Sequence, residues 1–326
     1  MHGASIGAPR IMKLSVVVPA YNEAAVLPEF LKQLFAVLAS FSSKTEVIVV
    51  DDGSSDDIDE ALRLVTPPTN VSLRCVRLSR NIGHMLAIKV GLEHAHGDVI
   101  ATMDADLQDP PELLVPMIDR LLGNHLDVVQ AERIARRKDT VFKRTTARGF
   151  YAVMQRLSGI SDLRNVADYR VMTADVKRQL LQLQERRPVF RLLIPSMGFS
   201  IGYVGYERPE RKAGESKYSV AKMVALAIDT ATSFSTKPLR IMSMFGGLLS
   251  LGFAVISVAT LLAWAFGTTI PGWTSLAFAI LSANAAVLAA LGLVGEYVGK
   301  IFEQVQQRPL PKVTVVQIYP RDFTSD

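Results

Sequence analysis

The chain is poor in the residues that build stapled folds. It has one cysteine in 326 residues. That count excludes an intrachain disulfide and a cysteine-rich metal site. Cys75 lies in the apolar run 73–78 and reads as a core filler. Tryptophan occurs only at Trp264 and Trp273. Residues 1–12 lack a basic segment followed by an apolar one, so they do not read as a signal peptide, and the domain after them is expected to stay in the cytoplasm. No internal repeat or low-complexity segment is visible. Charge is missing from two long stretches, 241–266 and 273–295, which hold no Asp, Glu, Lys or Arg.

Both stretches exceed the roughly 20 apolar residues a helix needs to cross the hydrocarbon core. They predict a transmembrane hairpin. The alternative, two buried core helices, requires unusually long uncharged segments. Lys237 and Arg240 precede the first stretch, Lys300 and Arg308 follow the second, and the turn 267–272 carries no charge. The positive-inside rule therefore puts both termini on the cytoplasmic side. The net charge is +5. Beside a membrane hairpin, that excess is assigned to lipid headgroups and phosphates rather than to nucleic acid. Small residues in the spans, Gly246, Gly247, Gly252, Ala285, Ala286 and Gly292, permit close helix packing, either within one hairpin or in a homo-oligomer.

The first two hundred residues differ in kind. Short apolar runs at 14–18, 47–50, 71–78 and 98–103 alternate with helical patterns at 23–38, 56–64, 83–94 and 110–122, and 127–130 begins a further strand. This order predicts an α/β domain with a mainly parallel, Rossmann-like sheet. Two basic amphipathic stretches, 136–157 and 218–232, are candidates for the membrane surface, with solvated helix faces as the alternative. Residues 313–319 are β-prone and predict a tail strand. The expected organisation is a tail at 1–12, a catalytic domain at 13–217, a juxtamembrane segment at 218–240, the hairpin at 241–300 (spans about 241–266 and 273–298) and a cytoplasmic tail at 301–326.

Polar motifs stand where the predicted strands end, which is where open α/β sheets bind ligands. Asp104 and Asp106 form a D-x-D after the fourth strand. Residues two apart on a strand share a side, so the two carboxylates can share one hard cation, Mg²⁺ or Mn²⁺, bridged to substrate phosphates. Asp51 and Asp52 follow the second strand and can accept hydrogen bonds from a nucleobase or ribose; Ser54 or Ser55 can alternatively cap the next helix. Pro19, Tyr21, Asn22 and Glu23 end the first strand and can frame a base. Arg211 and Lys217 flank a Gly-Glu-Ser turn that includes Ser216, a set of cationic and hydroxyl donors suited to phosphate. A solvated basic loop is the competing reading. His94 and His96 lack a third ligand and read as helix-end residues. Glu296 at the end of the second span reads as a snorkelling residue.

Together, Ser15-Val-Val-Val-Pro-Ala-Tyr-Asn-Glu23, Val50-Asp-Asp-Gly-Ser-Ser-Asp56, Arg80-Asn-Ile-Gly83 and Met103-Asp-Ala-Asp-Leu-Gln-Asp-Pro-Pro-Glu112 resemble the family 2 glycosyltransferases of the GT-A fold. The chain is most similar to the bacterial polyprenyl-phosphate glycosyltransferases, relatives of dolichol-phosphate mannose synthase. The resemblance runs from about Leu14 to Pro309. It implies inverting transfer of a sugar from a nucleotide sugar, by subgroup a UDP-sugar, to undecaprenyl or another polyprenyl phosphate at the cytoplasmic face of the bacterial inner membrane. It also implies that Pro19, Tyr21, Glu23 and Asp52 line the nucleotide site. Asp104, Asp106 and Gln108 would hold the metal and diphosphate. Asp168 and Arg170 would lie near the transferred sugar, and Arg211, Ser216 and Lys217 would contact phosphates. One departure is Arg308-Pro309-Leu310-Pro311, where the subgroup often has Arg-Pro-Leu-Tyr. Two other readings compete. A processive polysaccharide synthase usually carries Q-x-x-R-W, and the nearest match, Gln184-Glu-Arg-Arg187-Pro188, lacks the Trp. A non-catalytic nucleotide-sugar binder would not need the intact acids.

Overall fold

The computed structural model describes residues 13–134, 166–183, 185, 188–207, 237–266, 272–306 and 311–319. The chain divides into two compact units. One comprises 1–140, 162–215 and 308–326, the other 141–161 and 216–307.

The first unit is built on an eight-stranded sheet. Its elements in chain order are β1 (Leu14–Ala20), α1 (Leu27–Leu38), β2 (Thr45–Asp51), α2 (Ile58–Arg63), β3 (Val71–Leu78), α3 (His84–Glu93), β4 (Val99–Thr102), a 3₁₀ turn (Pro111–Leu113), α4 (Leu114–Gly123), β5 (Val128–Arg133), β6 (Val166–Thr173), α5 (Ala174–Gln182), α6 (Phe190–Ser196), β7 (Ile201–Tyr206) and β8 (Val313–Tyr319). The spatial order is β7-β5-β6-β4-β1-β2-β3-β8. Neighbours among β4, β1, β2 and β3 are parallel, and so are β5 and β7. The mainly parallel α/β sheet expected from the sequence is therefore present. Two antiparallel strands interrupt it: β6 lies between β4 and β5, and β8 closes the β3 edge.

β1 and β2 are buried along their whole length, as strands covered on both faces must be. Valines and isoleucines fill them because branched side chains suit a pleated surface. α1 starts at Leu27 rather than near Glu23, because Pro28 sits in its first turn, where a proline costs no hydrogen bond. α2 is capped by Asp57, which accepts from the Glu60 N–H at 2.9 Å, and not by Ser54 or Ser55. α3 presses so closely on the sheet that a Cβ on Gly91 would lie 2.3 Å from Val17 Cγ1. At the sheet end away from the motifs, buried Glu46 accepts from Ser15 Oγ at 2.5 Å and the His96 N–H at 2.6 Å and pairs with Arg74. His94 Nδ1 faces the Val90 carbonyl at 2.9 Å, so this H-x-H is tied up in the fold.

The second unit contains two long helices in contact, α7 (Lys237–Ala265) and α8 (Trp273–Val305). Large apolar side chains stand exposed on both, among them Leu248, Leu251, Leu288 and Leu291. Among the described residues, one stretch is long and apolar enough to cross a membrane. This is Ser282–Phe302, 21 residues of mean hydropathy 1.6 with none of it buried. It lies further along the chain than the 273–295 stretch read from the sequence.

Candidate active site

β1, β2 and β4 end side by side, and the loops beyond them form a cleft of about 220 Å³. Its walls include Pro19, Tyr21, Glu23, Asp52, Asn81, His84, Asp104 and Asp106. The cleft lies at the C-terminal ends of parallel strands, where open α/β sheets bind ligands.

Short hydrogen bonds fix the loops. Asn22 takes the left-handed conformation (φ 55°) and accepts from the Ser55 N–H at 2.8 Å and Ser55 Oγ at 3.0 Å. Its own N–H donates to Ser54 Oγ at 3.0 Å. The two serines thus tie the β2 loop to the β1 loop. The adjacent acids have different surroundings. Asp51 accepts from the Ser54 N–H at 2.8 Å and from Arg77 Nε at 2.8 Å, and Arg77 also grips Asp59. It does not line the cleft. Asp52 does, and its two oxygens accept from the N–H groups of Ile82 (2.8 Å) and Gly83 (2.9 Å). Asp52 therefore holds the 80–83 segment against the cleft. Burial pushes its carboxyl above the usual range despite those two donors.

Asp104 and Asp106 lie beyond β4, which stops at Thr102, so a loop rather than strand alternation positions them. Leu107 at φ 58° turns the chain, and Asp106 accepts from the Gln108 N–H at 3.0 Å. Gln108 itself is buried and is not among the cleft walls. Burial pushes the Asp104 carboxyl up to about 6; His84 opposes that rise, while Asp168, Asp109 and Asp106 add to it. Asp104 Oδ1 is buried without a hydrogen bond; His84 Nε2 stands 3.3 Å away. Glu23 is likewise raised, by burial and then by Asp106 and Asp56. Next to the D-x-D, buried Asp109 accepts from the Tyr206 hydroxyl and lies 3.8 Å from Arg133 Nη2.

β6 runs beside β4 and brings Asp168 to the same place. The Thr102 hydroxyl donates to its carbonyl at 2.8 Å. Asp168 Oδ1 accepts from Arg170 Nη2 at 2.6 Å, while Oδ2 lies 3.8 Å from Arg191 Nη2 and 3.9 Å from His84 Nε2. Burial would raise this carboxyl, but Arg170, Arg191 and His84 together hold it below the usual range. Arg170 is 1% exposed, with its guanidinium 5.7 Å from the Phe190 ring centroid. It reaches a substrate only through Asp168. Arg211, Ser216 and Lys217 lie outside the described residues, as do the amphipathic stretches 136–157 and 218–232. The sequence reading gave no role to Asn81, His84 or Arg191. Asn81 and His84 follow from the Arg80-Asn-Ile-Gly83 motif; nothing in the sequence around Arg191 signals a site.

The acids suit a divalent cation shared with a substrate. Among the described residues no group of three or more His, Cys, Asp or Glu is arranged to hold a metal alone. Two carboxylates with an unbonded buried oxygen nevertheless match the incomplete oxygen set that Mg²⁺ and Mn²⁺ take when phosphates complete the shell.

Residues 15–181 match the model of "Glycosyl transferase family 2". The chain is 38% identical to the uncharacterized glycosyltransferase YkcC of Bacillus subtilis, across 92% of this chain and 93% of that protein. It is 34% identical to the undecaprenyl-phosphate 4-deoxy-4-formamido-L-arabinose transferase of Klebsiella pneumoniae, across 92% of each. It is also 34% identical to the prophage bactoprenol glucosyl transferase homolog of Escherichia coli, across 91% of this chain and 97% of that protein. The chain belongs to glycosyl transferase family 2, and it is a glycosyltransferase.

Proposed function

We propose that this enzyme moves a sugar from a nucleotide sugar, a UDP-sugar, to a polyprenyl phosphate such as undecaprenyl phosphate, with inversion, at the cytoplasmic face of the bacterial inner membrane. Relatives that match along nearly their whole length and bear polyprenyl-acceptor names support the substrate class. The observation that carries the chemistry is Asp168, a carboxylate held below its usual pKa by two arginines and a histidine. Such a group is a poor proton acceptor, and this reaction needs none. A phosphate monoester has its second pKa near 6, so at neutral pH it is mostly a dianion and attacks unaided. Asp168 then orients the sugar and faces the positive charge that develops at the anomeric carbon. Arg170 locks Asp168 in place from within the core.

Pro19, Tyr21, Glu23 and Asp52 receive the nucleoside, with Asn81 beside them. Asp104 and Asp106 would hold Mg²⁺ or Mn²⁺, and that ion supplies charge neutralisation for the departing diphosphate. Gln108 steadies the loop that carries Asp106, Asp51 anchors the β2 loop, and Arg211, Ser216 and Lys217 contact lipid phosphate. The helical unit crosses the membrane twice, with both termini cytoplasmic, and its small residues permit a homo-oligomer.

The test is purified protein with undecaprenyl phosphate, Mg²⁺ or Mn²⁺, and a panel of radiolabelled nucleotide sugars. One donor is expected to put label into the organic phase as a monoglycosylated lipid. Asp106→Asn, at the cleft wall, is expected to lower that rate by at least about a hundredfold while leaving the circular dichroism spectrum unchanged. Polymer instead of glycolipid, or full activity in Asp106→Asn, would reject the reading.

A further inference from the structure

The walls of the cleft are rich in acids. Glu23, Asp52, Asp104 and Asp106 come from the loops after β1, β2 and β4. Beyond β4 in strand order the next element is β6, which carries Arg170, and after α5 the chain forms α6, which carries Arg191. Asp168 stands at the junction: His84 approaches its Oδ2 from α3 and Arg191 approaches the same oxygen from α6. Arg170 already neutralises Asp168 at 2.6 Å, and its Nε and Nη1 have no hydrogen-bond partner among the described residues. The charge of Arg191 is therefore surplus. Its side chain is 50% exposed, and Asp168 is the one carboxylate within ion-pair range of it among the described residues.

A displacement that brings one anion in as another leaves needs cationic help at both ends. The acids serve the leaving end, where they would hold a divalent cation against the diphosphate. They repel the entering phosphate. Resting on the glycosyl-transfer reading above, we propose that Arg191 is a further binding residue for the acceptor's phosphate monoester, holding it beside Asp168. One phosphate oxygen forms the bond to the anomeric carbon as the bond from that carbon to the diphosphate breaks. The nucleoside diphosphate leaves with the electron pair, and no proton moves. Arginine suits this role because its planar fork binds phosphate in a bidentate manner and stays charged at any working pH.

The experiment measures acceptor KM with undecaprenyl phosphate and, separately, the direct affinity for the UDP-sugar with Mg²⁺, in wild type, Arg191→Gln and Arg191→Lys. Arg191 is half-exposed on a short helix, so these variants are expected to fold. The expected result is an acceptor KM raised at least tenfold in Arg191→Gln, partial recovery in Arg191→Lys, and donor affinity within twofold of wild type. An unchanged acceptor KM overturns the proposal. So does a parallel loss of donor affinity, which would assign Arg191 to the diphosphate. Inorganic phosphate offered to the wild type separates lipid-borne from free phosphate: an equal KM for it overturns the lipid assignment. A wild type that makes no glycolipid fails before any variant is measured, and that result rejects the function rather than the role of Arg191.

Discussion

Asp104 shows how a residue is tuned against stability. Its folded-state pKa is raised to about 6, while an unfolded chain releases that proton near 3.8. Between those values the folded protein binds more protons than the unfolded one. The contribution of Asp104 to stability is therefore complete below about pH 4 and lost as pH rises through about 6. Asn mimics the neutral acid. Without metal at pH 7.5, Asp104→Asn is expected to be more stable than wild type by on the order of 1–2 kcal/mol, allowing for partial solvent exposure. The gap should close as pH falls below about 5. Thermal melts in detergent from pH 4 to 8 measure it; a variant less stable than wild type at pH 7.5 contradicts the account. The same variant should lose transfer activity, since an amide cannot supply a charged ligand. The acid pair before Gly53 shows what the sequence left open at this scale. Asp51 and Asp52 are adjacent and chemically equal, yet Arg77 on β3 claims the first and the amides of Ile82 and Gly83 claim the second. Partners about 30 positions away in sequence decide which acid faces the cleft.

At the scale of elements, the cleft depends on how closely two loops approach. Gly53 has φ +69°, and a Cβ there would lie 2.4 Å from the Arg80 carbonyl carbon and 2.6 Å from the Asn81 nitrogen. Both atoms are backbone and cannot swing aside. Gly53→Ala must push back the 80–83 segment, which carries Asn81 and leads to His84. The expected cost is about 1–3 kcal/mol of stability, with at least a tenfold loss of donor affinity. Gly123→Ala, at a position with open space around it, serves as the control and should change neither. Urea denaturation and nucleotide titration together test this, and normal donor affinity in Gly53→Ala would break the link between the two loops. Elements were legible where pattern and environment agree. β1, β2 and β4 are mainly apolar because they are buried along their whole length, and the motifs mark their ends. β6 was hidden for the opposite reason. It carries Asp168 and Arg170 within one strand, where they pair with each other and break the apolar run. Its antiparallel insertion between β4 and β5 follows no local signal. Arg191 was invisible because its partner is across the fold, not along the chain.

The whole molecule adds a constraint that neither unit carries alone. The chain leaves the sheet-bearing unit before α7 and returns to it after α8, because β8 pairs with β3 and the Ser79 N–H donates to the Lys312 carbonyl at 3.1 Å. A segment with both ends tied to one domain crosses a bilayer an even number of times or not at all. One crossing, by Ser282–Phe302 alone, conflicts with that connectivity. Two crossings agree with it, with the uncharged turn 267–272 and with the basic residues that flank the pair. Single cysteines placed in a Cys75→Ser background decide the matter. Thr269→Cys, in the turn, is expected to react with a membrane-impermeant maleimide added to intact spheroplasts. Thr314→Cys, exposed on β8, is expected to react only after the membrane is broken. Labelling of both sites only after lysis would mean that the helices do not cross the membrane. The enzyme would then meet its acceptor from the membrane surface, and the exposed leucines of α7 and α8 would have to be covered some other way.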